Sequence, residues 1–302
     1  GGDVLSLGEA DSTEFCHCAA CQALDAPPPA GLDLSHVSMG RVLADRYAKL
    51  WQAAFERARR INPEVRITSF LYWQTFHAPL GDVRLSPDYH GEFVPWMSKA
   101  MWFPTPEDAY RHIQEQWQGW KKTGITMGYR PNYFHGGYGL PFFSTRQAGE
   151  FLHFAYEHGN VGRAGDSLYN HWATQGPMLY MHMRLLKNPE MTVEEARAEY
   201  FSGFGPAAEQ VERHFDYWEE FSHWVVGNRS WPVWGVQQMV NAPHVYTPEL
   251  FARAAGVLDE ALAAARHDPR PEYARRVEFV RLGLDHAAAS MKIGRASCRE
   301  RV

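Results

Sequence analysis

Two acids and three thiols crowd the stretch that follows the first apolar run. Val4-Leu5-Ser6-Leu7-Gly8 leads into Glu9-Ala10-Asp11, and Phe15-Cys16-His17-Cys18-Ala19-Ala20-Cys21 comes four residues later. Hydrolysis of a glycosidic bond needs two carboxylates, one protonated and one ionised. Glu9 and Asp11 stand at i and i+2, so in a continuing strand their side chains point the same way. The other role for Asp11 is to form the turn that orders the Cys loop, because Asp bonds its own following backbone well. The thiols offer three soft ligands to a metal such as zinc, with His17 or a distant His as a fourth. In an exported protein the same residues would make a disulfide clip. A redox pair needs a Cys-x-x-Cys at a helix start in a βαβ setting, and Cys18 and Cys21 have the spacing only. The pattern favours a structural metal or a disulfide clip over redox catalysis.

These residues need a scaffold, and the periodicity supplies one. A strand near Asp3–Leu7 is followed by a Pro-rich bend at Pro27-Pro28-Pro29 and a long helix near Ser38–Ile61, ended by Asn62-Pro63. Further strands are expected at Arg66–Trp73, Glu92–Met97, Ile125–Arg130 and Gly162–Tyr169, with helices at Pro106–Lys122 and Thr145–His158. Alternating strands and helices imply a parallel sheet. No Gly-rich phosphate loop follows any strand, which weakens a nucleotide-binding sheet. The expected fold is therefore α/β: about five C-terminal strands of an eight-stranded (β/α) TIM barrel over residues 1–190. A mostly helical region follows over 191–292, with segments at Leu179–Leu186, from Thr192, and at Pro206–Val225, Pro248–His267 and Pro271–Met291.

A barrel builds its site from the loops after its strands, and those loops carry an unusual mix. Tyr72, Trp73 and His77 follow the second strand, and Trp96 and Trp102 the third. Arg130, Asn132, Tyr133 and His135 end the fourth, and His171 and Trp172 follow the fifth. Aromatic faces suit the C–H faces of sugars, and the polar groups suit hydroxyls. Arg130 could pair with a sugar carboxylate, because a guanidinium binds carboxylate bidentately. Asp166 near the fifth strand end is a third candidate acid. Glu92 is another candidate acid, though it lies early in its strand, where a surface role is favoured.

The 302 residues carry a net charge of −5 and 45% hydrophobic residues, with 11 Trp. No basic surface argues for nucleic acid, and no apolar run reaches membrane-spanning length. Without an initiator Met the chain reads as entering a longer protein after its first barrel strands. Residues 293–302 break the helical pattern and resemble the translation of a short-read sequencing adapter, so they read as an artefact. Only Cys16, Cys18 and Cys21 then carry thiol chemistry.

The segments Leu5–Asp11 and Phe15-Cys16-x-Cys18-x-x-Cys21-x-x-Leu24-Asp25 resemble the signature of the bacterial domain of unknown function 4838 family. The strand at Ile67–Trp73, Tyr180-x-x-x-Arg184 through Pro189, and Tyr200–Ala208 resemble it too, so that the similarity covers most of residues 1–225. Glu9-Ala10 stands where the family usually has an Asn neighbourhood. The resemblance implies a glycoside-hydrolase-like TIM barrel, often beside a domain similar to the α-glucuronidase N-terminus, in an exported protein. The expected function is hydrolysis of a polysaccharide or oligosaccharide with Asp11, Glu9 or Asp166 as acid and base. No cofactor is required; the thiols hold either a structural zinc or a disulfide clip. A non-catalytic carbohydrate-binding barrel and a protein whose Cys cluster holds a functional metal are the alternatives.

Overall fold

The computed structural model describes residues 3–8, 14–32, 41–95, 106–132, 139–163, 172–227 and 241–299. Five strands form one parallel sheet in the order β1-β2-β3-β4-β5, which is also their order in the chain. They are β1 Val4–Ser6, β2 Arg66–Leu71, β3 Tyr89–Phe93, β4 Thr126–Tyr129 and β5 Asn160–Arg163. Among the described residues the order never reverses, so this sheet has no switch point of the doubly wound kind. The expected strands are all present, but the third begins three residues earlier and the fifth two residues earlier than the sequence reading placed them. Aromatic Tyr89 pairs with Ile67 at the start of β3 and pulls the strand start toward its neighbour's first residues.

Alternation along the strands sorts their side chains. Ile67, Leu71, Tyr89, Phe93, Met127 and Tyr129 are buried on one face. That face meets α2 (Ala44–Arg59) and α3 (Pro106–Lys122), after the single turn α1 (Ala19–Gln22). Tyr89 Oη donates to Trp51 O at 2.6 Å, and the rings of Phe93 and Trp117 meet edge to face at 5.5 Å. α3 follows its sequence signals: Pro106 in the first turn with Glu107 and Asp108, and Lys121 and Lys122 in the last. Gly124 ends it at φ 98, where a Cβ would also stand 2.9 Å from Leu85 O, so only glycine fits.

The chain divides into two compact units. The sheet unit holds the described residues of 3–95, 107–132 and 154–163; the helical unit holds those of 139–153 and 172–299. The helical unit contains most of α4 (Thr145–Glu157), then α5 (Trp172–Lys187), α6 (Val193–Ser202), a 3-10 turn (Gly205–Ala207), α7 (Ala208–Gly227), a turn of helix at 241–245, α8 (Pro248–Arg266) and α9 (Pro271–Arg299). α5 starts seven residues before the expected Leu179, because the helix continues across a kink at Gln175 just ahead of Pro177. It packs on α6 and α9, so residues 172–190, expected to close the barrel portion, belong with the helices. Thr192 and Glu195 form the expected capping box at α6: Glu195 N–H donates to Thr192 Oγ1 at 3.2 Å and Thr192 N–H to Glu195 Oε2 at 2.8 Å. Residues 293–299, expected to break the last helix, continue it, and Arg295 donates from Nη1 to the carbonyls of Pro243 and Tyr246. Among the described residues no helix is long and apolar enough to cross a membrane.

His214 gives this unit an acid weakness. It is buried between α7 and α8, with Nδ1 3.3 Å from Ala254 O. Burial pulls its pKa down to about 4, against the bond to Ala254 O, which favours the charged form. Above pH of about 6.5 both folded and unfolded states hold a neutral ring. As pH falls from there to 4, only the unfolded state takes the proton, so stability falls, by up to about 3 kcal/mol from this group. Urea unfolding at pH 7 and pH 4.5 should show that loss in the wild type and a much smaller one in His214→Leu.

Candidate functional site

The second face of the sheet carries polar side chains and no core aromatics. Thr68, His90, Glu92 and Thr126 are half-buried there, and Phe70 is 37% exposed. The register aligns Phe70, Glu92 and Gly128 in one row across β2, β3 and β4, with Thr68, His90 and Thr126 one pleat below. Glu92 is the fourth of five residues in β3, toward the C-terminal end. The periodicity predicts a strand beginning at Glu92; β3 begins at Tyr89 instead, so Glu92 lies within the sheet.

His90 Nε2 and Glu92 Oε1 are 2.7 Å apart, and His90 Nδ1 is 3.4 Å from Thr126 Oγ1. Thr126 also donates to Tyr89 O at 2.9 Å, which holds the hydroxyl at that spot. The second carboxylate oxygen, Oε2, is enclosed and accepts no hydrogen bond among the described residues. A buried carboxylate oxygen without a donor is costly, and such groups cluster where chemistry is done. Gly128 makes room for the pair: a Cβ there would sit 2.8 Å from both Glu92 Oε2 and His90 Nε2. Beside them the Arg130 guanidinium lies over the Phe70 ring at 4.7 Å, and its Nη1 donates to Asn132 Oδ1 at 3.3 Å. Gly8, two residues past β1, borders the same ring, with an ideal Cβ 3.5 Å from Phe70 Cδ2. A carboxylate, a guanidinium and an open aromatic face thus meet toward the C-terminal ends of adjacent strands, with the imidazole one pleat below them. The set can hold a hydroxylated ring and transfer a proton to or from it.

Of the residues expected from sequence, Arg130 and Asn132 are brought together here. Trp73 follows the end of β2 in a left-handed backbone conformation, φ 45. Such a conformation costs a large side chain about 1–3 kcal/mol, and Thr75 holds it by bonding Tyr72 N at 3.2 Å and Phe70 O at 3.0 Å. His77 is buried, with its ring against those of Phe76 and His112. Trp172 opens α5 in the helical unit and is 42% exposed. Glu9, Asp11, Asp166, Tyr133, His135 and His171 lie outside the described residues, as do Trp96 and Trp102. His90 and Phe70 went unread. The signal was present, as two polar residues at i and i+2 inside Tyr89-His90-Gly91-Glu92-Phe93, where aromatic neighbours take the buried face.

The three thiols converge as their spacing suggested. The Sγ atoms of Cys16, Cys18 and Cys21 all lie within 4.8 Å of one another; Cys16 and Cys18 are exposed and Cys21 half-buried. The backbone N–H of Cys21, then the other two thiols, lower the Cys18 pKa to about 7, and Cys16 and Cys18 raise that of Cys21 to about 11. His17 is not in this group; its ring lies on that of Phe15 at 4.3 Å.

No curated protein and no solved structure is detectably similar to the chain. One family does match, over residues 2–216, from the first strand through the thiol loop and the polar sheet face into α7. The chain belongs to the family described as Domain of unknown function (DUF4838).

Proposed function

We propose that this chain is part of a carbohydrate-active (β/α) barrel that hydrolyses a glycosidic bond in a polysaccharide or oligosaccharide. The strand order supports the barrel. Right-handed crossovers between strands taken in sequential order put their helices on one face, as α2 and α3 are here and as a barrel requires. The polar second face would then line the interior, and the C-terminal strand ends would carry the site. The observation that carries the hydrolytic reading is Glu92, enclosed, bonded to His90 on one oxygen and free of donors among the described residues on the other. Glu92 serves as acid or base, and His90 orients it. Its partner carboxylate comes from Glu9, Asp11 or Asp166, which follow β1 and β5 in the sequence. Phe70 and Trp73 offer stacking faces, and Arg130 and Asn132 bind hydroxyls or a sugar carboxylate.

The second reading is a carbohydrate-binding barrel without turnover. It is favoured by one fact: Glu92 is the one acidic side chain within β1 to β5. Aryl-glycosides and polysaccharides, neutral and uronic, presented to the gene product that contains this chain separate the two, by turnover or by saturable binding alone. Arg130→Ala should weaken uronic oligosaccharides about tenfold or more, since a charged hydrogen bond contributes roughly 1.5–3 kcal/mol, and neutral ones less. Equal loss for both removes the acid-specific role of Arg130, and no loss for either moves the sugar away from this face.

A further inference from the structure

We propose that Cys16, Cys18 and Cys21 bind one Zn²⁺ as three thiolates, with the fourth coordination position open to an external ligand. Three thiolates at about 2.3 Å from a tetrahedral zinc stand roughly 3.8 Å apart. The sulfurs here, all within 4.8 Å of one another, need only a small contraction to take that arrangement. A disulfide would use two of the three and leave the third thiol unpaired. Among the described residues no other Cys, His, Asp or Glu joins the group, so these residues supply three ligands. That is the ligand count of zinc sites that exchange a ligand, in contrast to closed structural sites.

The loop is held for this purpose from behind. Arg46 of α2 donates from Nη1 to Cys16 O at 2.8 Å, while its Nε and Nη2 grip both oxygens of Asp25 at 2.8 and 2.7 Å. Lys49 donates to Leu24 O at 2.7 Å, and Gln22 Nε2 to His17 O at 2.6 Å. The thiols therefore stand on a braced turn. Zn²⁺ held by three thiolates leaves the site with a charge of −1, close to the Arg46 guanidinium that Asp25 also holds. Outer groups of this kind tune metal affinity.

The test uses the chain with Cys298→Ser, so that these three are its only thiols. Reduced protein given Zn²⁺ and dialysed should retain one equivalent, with all three thiols protected from alkylation. Co²⁺ in its place should give thiolate-to-metal charge-transfer bands and four-coordinate d–d bands, which shift when imidazole is added. Cys16→Ser and Cys18→Ser, both at exposed positions, should weaken Zn²⁺ at least about 100-fold with the helical circular dichroism unchanged, and Arg46→Gln about tenfold. Substoichiometric zinc with all thiols alkylated equally fast with and without metal would overturn the site. Co²⁺ bands indifferent to imidazole would overturn the open position.

Discussion

Glu92→Gln should lower turnover of a glycoside substrate by about 10²–10⁴-fold, the usual contribution of a positioned acid or base, while sugar binding changes little. The amide keeps the shape and can still meet His90, but it neither gives nor takes the proton. The same change should not lower the melting temperature. Oε2 is enclosed without a donor among the described residues, so removing the charge relieves a cost the fold now bears; function and stability conflict at such sites. Gly128→Ala reaches the pair without altering its chemistry. The new Cβ would stand 2.8 Å from Glu92 Oε2 and from His90 Nε2, so the side chains must swing away, and turnover should fall by at least about tenfold through misplacement. Met127 and Tyr129 keep the buried face on either side, so the sheet should survive. Full turnover in Glu92→Gln would leave Glu9, Asp11 and Asp166 as the acids that act, and would reduce Glu92 to a sheet residue paired with its neighbour.

The sequence made the strand-and-helix alternation legible because the strongest signals are local. Pro106 with its acids, and Thr192 with Glu195, specify helix starts through bonds within one turn. The thiol cluster was legible for the same reason, since three Cys in six residues cannot be far apart. The polar face was harder. Which side of β3 carries Glu92 depends on where the strand begins, and a slip of one residue exchanges the faces. Tyr89 looks like a loop aromatic until its pairing with Ile67 and its bond to Trp51 O are known. Gly128 is likewise silent in sequence; only the register across β3 and β4 shows that its missing side chain houses a carboxylate and an imidazole. The kink at Gln175 hid the first turns of α5, because Gly176-Pro177 reads as a break and the neighbouring helices hold it as a bend.

Arg197→Met should destabilise the helical unit by about 3–5 kcal/mol, the cost of stripping a buried charge of its partner. Arg197 on α6 is 1% exposed and faces four acids: Asp216 at 2.6 Å, Glu219 and Glu194 at 3.4 Å, and Glu212 at 3.5 Å. Glu219 is the critical one, because its side chain is only 2% exposed. It is also held by the Arg146 backbone N–H at 3.1 Å, with the Arg146 guanidinium at 3.7 Å. Two cations thus serve four carboxylates where α4, α6 and α7 meet. Removing the buried cation leaves Arg146 to hold Glu194, Asp216 and Glu219, with Glu219 too buried for water to take the place of Arg197. For a unit of this size the melting temperature should drop roughly 6–20 °C. Pairing the change with Glu219→Gln should recover part of the loss, since the uncompensated charge is then gone. Added salt should matter little to the Arg197–Glu219 pair, whose side chains are 1% and 2% exposed, because buried pairs are screened weakly. Arg266→Ala supplies the contrast: its pair with Glu278 is 64% and 52% exposed, and such surface pairs contribute almost nothing measurable. If Arg197→Met melts no earlier than Arg266→Ala, the network is ornament and the helices are held by their apolar faces alone.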